Sequence, residues 1–255
     1  MRKGAAAKSG RSPPARTPST AGASGIPGRA ALYLAIAALA SAASLAMTLG
    51  LADAARSRAE IVLGLQGDVI RTPPTKDRIA RALESYALAQ RLDPLRPDFP
   101  ASLGDMQVLL TAELPVWNSE AKAHHRAALE HYRAAISRRP SWPYVWANLA
   151  VVKFRLAELD REFFTALERA AMLGPWEPQI QKTVADLGLA AWEVLPEETR
   201  AQVRANLERG IHRQGETMVR LALRHRRTEL VAPLVQGDAH LEAVLKTGTA
   251  AGGRR

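Results

Sequence analysis

The chain has 255 residues, of which 47% are hydrophobic and none is cysteine. This length allows a substantial core and favours one folded domain, while the lack of cysteine excludes disulfide bonds, thiolate zinc sites and cysteine nucleophiles. The net charge of +10 is unevenly placed: residues 1–52 carry six basic groups and no acid, residues 53–199 carry 18 basic and 20 acidic groups, and residues 200–255 carry 11 basic and 5 acidic groups. A nearly neutral body therefore lies between two basic ends.

Residues 1–28 are rich in Gly, Ala, Ser, Pro and basic side chains, with almost no large apolar residue. Such a segment buries too little surface to offset the entropy of ordering it, so we expect it to be disordered. The positive charge would also suit a nucleic-acid-binding arm. We favour a solvated basic cytoplasmic tail in front of a membrane anchor, and we expect no nucleic-acid partner.

Residues 29–53 are predicted to form a transmembrane anchor. The 23 residues from Ala30 to Ala52 carry no charge, and as a helix rising ~1.5 Å per residue they can cross ~30 Å of hydrocarbon. Two alternatives stay open. The triplet Ala52-Asp53-Ala54 has the small-x-small form of a signal-peptide cleavage site, and a buried helix of a soluble protein is the third interpretation.

The orientation of this anchor follows from the positive charge near the membrane. The amino-terminal side carries unopposed basic residues, whereas Arg56, Arg58 and Arg71 weaken the asymmetry on the other side. We expect a single-pass protein of the bacterial inner membrane with a cytoplasmic amino terminus and a periplasmic body.

Residues 54–76 are predicted as a juxtamembrane helix and hinge. The helix should continue outward to about residue 70, and Thr72-Pro73-Pro74-Thr75 should end it.

Residues 77–246 are predicted as an all-α domain of helical hairpins, because small and aromatic residues recur at a fixed spacing. In one helical-repeat pattern the second helix carries Ala, an aromatic residue four positions later, Ala three further on, and Pro five beyond. Two segments fit this pattern, at Ala82, Tyr86, Ala89 and Pro94 and again at Ala128, Tyr132, Ala135 and Pro140. The following first helices should show Leu with a small residue beside it, as at Leu103-Gly104 and at Leu149-Ala150, the latter after Trp146.

The spacing of these units is irregular. Pro94 and Pro140 are 46 residues apart against a repeat of about 34, so we place an insertion at residues 113–118, followed by a helix that Asn118 or Ser119 caps. The next unit runs from Pro140 to Pro175, and Phe163 stands there where a small residue belongs.

Further helices are predicted after the turn at residues 174–178. The first runs from Gln179 to Leu195, and the sequence Pro196-Glu197-Glu198 suits the start of the next, with proline in the first turn and acids at the positive end of the helix. The remaining helices are predicted at 199–213, 216–227 and 230–246. Residues 247–255 are predicted as a disordered basic tail.

No catalytic motif, cofactor-binding fingerprint or metal-ligand set occurs in the sequence, so we predict no enzyme activity, no cofactor and no metal site. Aromatic residues around a turn and basic residues near helix ends are the candidates for contact with a partner. Stacked hairpins present the side chains of their first helices to a partner segment. The candidates are Trp142, Tyr144, Asn148, Lys153, Arg155, Arg224 and Arg227.

Residues 78–175 resemble the tetratricopeptide-repeat superfamily through the two Ala-aromatic-Ala-Pro helices and the Trp146-Leu149-Ala150 helix. Over residues 30–235, the basic tail, the single span, the irregular repeats, LGPWEPQIQ and DLGLAAWEVLPEETRAQVR are similar to bacterial exopolysaccharide-biosynthesis accessory proteins of the VpsP type. This resemblance implies an inner-membrane accessory protein with a periplasmic repeat domain that helps polymer assembly or export.

The predicted function is therefore that of a membrane-anchored, irregular tetratricopeptide-repeat-like α-solenoid. It would hold proteins together in exopolysaccharide biosynthesis or export, with membrane components of polysaccharide assembly as partners. One alternative is an adaptor for another envelope pathway, such as secretion, cytochrome maturation or division. The other is a module that binds an anionic glycan or lipid through the aromatic residues near Trp142 and the basic residues near Arg224.

Overall fold

The computed structural model describes residues 28–64 and 74–252, with side chains described for 30–64 and 74–250. Within these ranges the chain is helical and contains no strand, which confirms the predicted all-α class. The α-helices are α1 (Gly28–Leu63), α2 (Lys76–Leu92), α3 (Asp98–Leu109), α4 (Ser119–Arg138), α5 (Pro143–Arg155), α6 (Arg161–Leu173), α7 (Pro178–Ala190), α8 (Glu197–Arg224) and α9 (Ala239–Gly252).

The chain divides into two compact units, residues 1–46 and 47–255. The described part of the first unit is the beginning of α1, whose large apolar side chains are exposed. Helix α1 is long and apolar enough to cross a membrane, and among the described helices it alone passes this test. Of the predicted basic tail, 1–28, residues 1–27 lie outside the described residues, and Gly28 begins α1.

The second unit begins with a small core that joins the end of α1 to α2 and α3. On α1, a row of small side chains with Leu63 at its end is buried: Ala52, Ala55 and Ala59. These residues pack with the predicted repeat positions of α2, Ala82, Tyr86 and Ala89, and with side chains of α3, Phe99, Leu103 and Met106. Because the alanines are small, the helices can approach closely, and the end of α1 becomes part of the helical body.

The larger core extends from α3 to α9. Consecutive helices pack against one another, α5 also contacts α7, and α6 also contacts α8. Helices joined by short connections pack as antiparallel neighbours, so α5–α6 and α7–α8 are stacked hairpins. Five predicted repeat positions of α4 and α5 are buried in this core, namely Ala128, Tyr132, Ala135, Leu149 and Ala150, and Trp146 packs against it partly buried.

Side chains cap several helix starts, and the cap predicted at Asn118 is one of them. The Asn118 side chain accepts hydrogen bonds from the backbone N–H groups of Glu120 and Ala121 at the start of α4, and Asp160 caps α6 in the same way. The predicted insertion lies in the connection between α3 and α4.

Other helix ends differ from the prediction. Helix α1 ends at Leu63, before residue 70, with Gly64 at a φ of +76° that favours glycine; residues 65–73 of the predicted hinge lie outside the described residues. Helix α7 ends at Ala190 and is followed by a short 3-10 helix, 192–194, with Leu195 in an extended conformation. Leu195 precedes a proline, which disfavours the helical conformation.

The carboxy-terminal part agrees with the prediction in one place and differs from it in another. Helix α8 consists of two helical segments that meet at a kink, where Gln214 has a non-helical backbone (φ −147°, ψ 48°), as expected from the two helices predicted at 199–213 and 216–227. Helix α9 begins at Ala239 and continues to Gly252, so the prediction of a disordered tail is wrong for residues 247–252, and residues 253–255 lie outside the described part. At Gly248 the backbone approaches the Leu223 side chain of α8 so closely that an added Cβ would overlap it.

Ala157 adopts the left-handed conformation, with a φ of 58°, at the end of α5. Its N–H bonds the carbonyl of Phe154, and the next N–H bonds the carbonyl of Lys153, so the residue closes the helix. A non-glycine residue pays about 1–2 kcal/mol for this conformation. We expect Ala157→Gly to raise the free energy of unfolding by about 0.5–1 kcal/mol, since the greater freedom of glycine in the unfolded chain offsets part of the gain.

Urea unfolding of the full-length protein in detergent micelles measures this change. The matched control is Ala123→Gly, an exposed position inside α4, where the same substitution should cost about 0.5–1 kcal/mol. Equal destabilisation by both variants would contradict the interpretation.

Candidate partner-binding groove

A groove follows α3 and the first helices of the two hairpins, α5 and α7. It consists of three adjoining depressions: the first two share Asp105 and Asn148, and the second and third share Val151. We call this surface the inner groove. Its lining includes Arg56, Glu60, Asp98, Asp105, Val108, Leu109, Tyr144, Asn148, Val151, Phe154, Arg155, Lys182, Asp186 and Leu187.

The middle of the inner groove is apolar. Val108 and Leu109 of α3 lie on one side of it and Val151 of α5 on the other. These side chains are partly or well exposed, in contrast to the fully buried Leu149 and Ala150 on the opposite face of α5. The helical period therefore divides α5 into a face that packs in the core and a face that lines the groove.

Asp105 occupies the junction between the first two depressions. Its Oδ1 accepts hydrogen bonds from the Tyr132 hydroxyl (2.8 Å) and from the Asn148 side-chain amide (3.0 Å). Among the described residues, no donor bonds the other oxygen, Oδ2. Burial raises the pKa of the Asp105 carboxyl above its ordinary value, although the bonds from Tyr132 and Asn148 oppose the shift. The charged carboxylate would thus be stabilised by a donor that a partner brings to Oδ2.

Charge changes sign along the groove. The end formed by α1 and α3 contains Glu60, Asp98 and Asp105 together with Arg56, which is paired with Glu60 at 2.8 Å. The end formed by α5 and α7 contains the exposed basic residues Arg155 and Lys182. Its one acid, Asp186, is contacted by Arg224 and His225, so the positive charge predominates there. The inner groove is thus acidic at one end, apolar in the middle and basic at the other.

Three predicted site residues lie in the inner groove at α5. Asn148 lies on its wall and is held by Asp105. Tyr144 is 40% exposed and donates a hydrogen bond from its hydroxyl to Glu177 (2.9 Å). Arg155 is exposed at the basic end. Trp142 lines the acidic end, and one face of its ring is covered by the Arg139 guanidinium, 5.1 Å from the ring centre.

Lys153, predicted as a groove position, does not present its side chain to the groove. The side chain is 2% exposed, and its Nζ lies 3.3 Å from a carboxylate oxygen of Glu158, 2.9 Å from Asp160 and 2.9 Å from Glu162. Burial acts to lower the pKa of the Lys153 ammonium, but the hydrogen bonds to these three acids outweigh it and raise the pKa. The predicted partner contact is therefore wrong, and Lys153 instead fixes the connection between α5 and α6.

Glu162 is the centre of this cluster because Arg133 also binds it with two hydrogen bonds, of 2.8 Å and 2.7 Å. The hydrogen bonds from Arg133, and then the bond from Lys153, lower the pKa of the Glu162 carboxyl from 4.5 to about 2. Between these two pH values the unfolded chain binds a proton that the folded chain does not. The stability that this carboxylate contributes is therefore complete above about pH 4.5 and is lost as the pH falls toward 2.

We expect the free energy of unfolding of the full-length protein to fall more steeply with acidification in this window than that of Glu162→Gln, which has no proton to bind there. Urea unfolding at stepped pH values measures both slopes. The matched control is Glu120→Gln, in the first turn of α4 and exposed, which should keep the steep slope. Equal slopes for the wild type and Glu162→Gln would refute the assignment.

The two predicted basic residues near the end of α8 are partly neutralised. Arg224 lies 3.5 Å from Asp186, a residue of the groove, and His225 contacts the same carboxylate at 2.6 Å. Arg227 pairs with Glu193 and lies 3.9 Å from Glu229. The structure does not bring Arg224 and Trp142 together, because they border different ends of the inner groove.

The sequence prediction missed Asp105, Val151 and Lys182. Gly104 was assigned to the packed face of α3. Asp105 is the next residue, so the sequence could have predicted an acid at the edge of this packed face. Val151 and Lys182 carry no such signal, since their exposure depends on how α5 and α7 pack.

Comparison with known proteins does not assign the chain to a family. No family model matches the chain, and no curated protein matches its sequence. A function for the chain therefore has to follow from the inner groove and from helix α1.

Proposed function

We propose that the protein is a membrane-anchored helical-repeat scaffold whose inner groove binds a segment of a partner protein. Helix α1 is the anchor, with the amino terminus in the cytoplasm and the helical body in the periplasm of a bacterium. The pathway is exopolysaccharide biosynthesis or export, as the resemblance to tetratricopeptide-repeat proteins and to the VpsP type implies. The protein acts by binding other proteins and catalyses no reaction.

The observation that supports a binding function most strongly is the exposed apolar middle of the inner groove. Val108, Leu109 and Val151 would each remove apolar surface from water on contact with a partner, at about 25 cal/mol per Å². A groove between helices that offers apolar contacts with polar groups at its ends is the usual form of a site for a peptide or a partner helix.

The charge pattern also predicts the order of basic, apolar and acidic side chains in the partner segment. A basic side chain would lie at the acidic end, where Asp105 Oδ2 is free among the described residues, and an acidic side chain would lie near Arg155 and Lys182. Apolar side chains would lie between them. Charges arranged in this order favour one direction of the segment in the groove, because the reverse direction places like charges together.

The experiment is chemical crosslinking of the full-length protein in its native membranes, followed by purification and mass spectrometry. Wild type, Val151→Lys and Val194→Lys are compared. Val151 lies in the apolar middle of the groove, whereas Val194 is a 54% exposed residue in the connection between α7 and α8. The two variants therefore introduce the same charge inside and outside the groove.

We expect a polysaccharide polymerase, flippase, chain-length regulator or glycosyltransferase among the partners of the wild type and of Val194→Lys, and its loss from Val151→Lys. Secretion, cytochrome-maturation or division proteins in its place would keep the scaffold and overturn the polysaccharide pathway. Retention of all partners by Val151→Lys would overturn the role of the groove.

A further inference from the structure

Leu95 lies in the turn between α2 and α3, and its side chain is 81% exposed, the most exposed of the large apolar side chains described. A single exposed leucine is common on protein surfaces. The position of this one is unusual because of the residue that follows it.

Arg96 forms an ion pair with Asp53 of α1 and a second one, at 3.1 Å, with Asp93. The Asp53–Arg96 pair is a contact within the helical body, and it holds the turn at the level of residue 53. Leu95 therefore lies beside Asp53, which directly follows the uncharged positions 30–52 of α1.

Asp53 is the first charged residue after the 23 uncharged positions 30–52. A charged side chain is costly in the hydrocarbon of a bilayer and is found at its polar boundary instead. On α1 just before this point, Met47 is 70% exposed and Leu51 is 53% exposed, as expected of side chains that meet lipid. If α1 spans the membrane, the boundary of the hydrocarbon is thus at the level of Asp53 and of the turn that Arg96 joins to it.

The surroundings of Leu95 suit the same boundary. Leu88, one turn before the end of α2, is 45% exposed, and Arg91 is exposed nearby on the same helix. Arginine side chains at this depth can extend their guanidinium groups to lipid phosphates while apolar side chains enter the acyl region.

We propose that the turn at residues 93–97 rests on the membrane that α1 crosses, with the Leu95 side chain inserted below the lipid headgroups into the edge of the acyl region. The inference rests on the proposed membrane anchor. Its consequence is that the helical body contacts the bilayer at a second point besides the span.

The test uses the absence of cysteine in the chain. The full-length variants Leu95→Cys, Val194→Cys and Leu39→Cys each take one nitroxide label and are reconstituted in vesicles of phosphatidylethanolamine and phosphatidylglycerol. Electron paramagnetic resonance then compares collisions of each label with oxygen, which concentrates in lipid, and with a water-soluble nickel chelate. Circular dichroism verifies that the three variants keep the same helix content.

The expected result is a reversal of accessibility between the two exposed positions. Oxygen should exceed the nickel chelate at position 95, and the chelate should exceed oxygen at position 194. Position 39, in the middle of the span, should show the strongest preference for oxygen.

A label at position 95 that behaves like that at 194, with position 39 still in lipid, would overturn the inference and leave the anchor intact. Shielding of position 95 from both reagents would show a protein contact there and would also overturn it. Access of the chelate to position 39 would overturn the anchor and the inference together.

Discussion

Replacing Lys153 with methionine is expected to lower the free energy of unfolding by about 2–4 kcal/mol, because it leaves three carboxylates without their shared cation. Glu158, Asp160 and Glu162 lie within 3.3 Å of the ammonium. Their side chains are 39%, 57% and 34% exposed, so water can compensate part of the loss, and Arg133 still binds Glu162. The measurement is urea unfolding of the full-length protein in detergent micelles, followed by fluorescence of its five tryptophans.

The matched control for this prediction is Lys122→Met, at an exposed position of α4. An exposed substitution of this kind should change the free energy of unfolding by less than about 0.5 kcal/mol. If Lys153→Met changed stability as little as the control, the ion cluster would contribute nothing and the connection between α5 and α6 would be held by other contacts.

Replacing Gly104 with alanine is expected to lower the free energy of unfolding by about 1–2 kcal/mol. The added Cβ would lie 2.5 Å from Cε1 and 2.8 Å from Cδ1 of the Tyr132 ring. The ring is 1% exposed, and its hydroxyl is bonded to Asp105, so it cannot move without breaking that bond. Overpacking destabilises a core by about 1–3 kcal/mol. The higher helix propensity of alanine offsets up to about 1 kcal/mol of this loss.

Gly50→Ala is the control, because an added Cβ there meets no atom within 4 Å. With no clash, alanine should be neutral or stabilising in a helix. Urea unfolding compares both variants, and a Gly104→Ala protein as stable as Gly50→Ala would show that α3 and α4 do not pack as closely as the structure describes. Because Tyr132 also holds Asp105, we further expect Gly104→Ala to disturb the inner groove.

The repeat pattern predicted the packing of the body well. Ala82, Tyr86 and Ala89 in α2, and Ala128, Tyr132 and Ala135 in α4, are buried as their spacing required. Gly104 is the clearest case, since the pattern asks for a small residue where the Tyr132 ring now lies. Such positions can be predicted because local spacing alone determines which face of a helix is packed.

The errors arise where distant residues decide the structure. Lys153 has the sequence phase of a groove residue, but the acids that surround it belong to the following connection and to α6. Residues 247–252 have the composition of a disordered tail, yet they continue α9, where the Gly248 backbone lies close to the Leu223 side chain of α8. Neither contact can be derived from periodicity.

The sequence prediction placed candidate contact residues on the first helices, and two of them, Asn148 and Arg155, line the inner groove. The chemistry of the groove was not predicted. The charge gradient from Asp105 to Lys182 was missed, because it depends on the packing of α3, α5 and α7 side by side. That gradient is what gives the proposed partner segment a direction.

The most direct measurement of the central claim is site-specific photocrosslinking in native membranes. A photoreactive amino acid is placed at Val151, in the apolar middle of the inner groove, or at Val194, which is exposed outside it. The binding account predicts a crosslinked partner at position 151 and none at position 194. No partner at position 151, or the same partner at both positions, would contradict it.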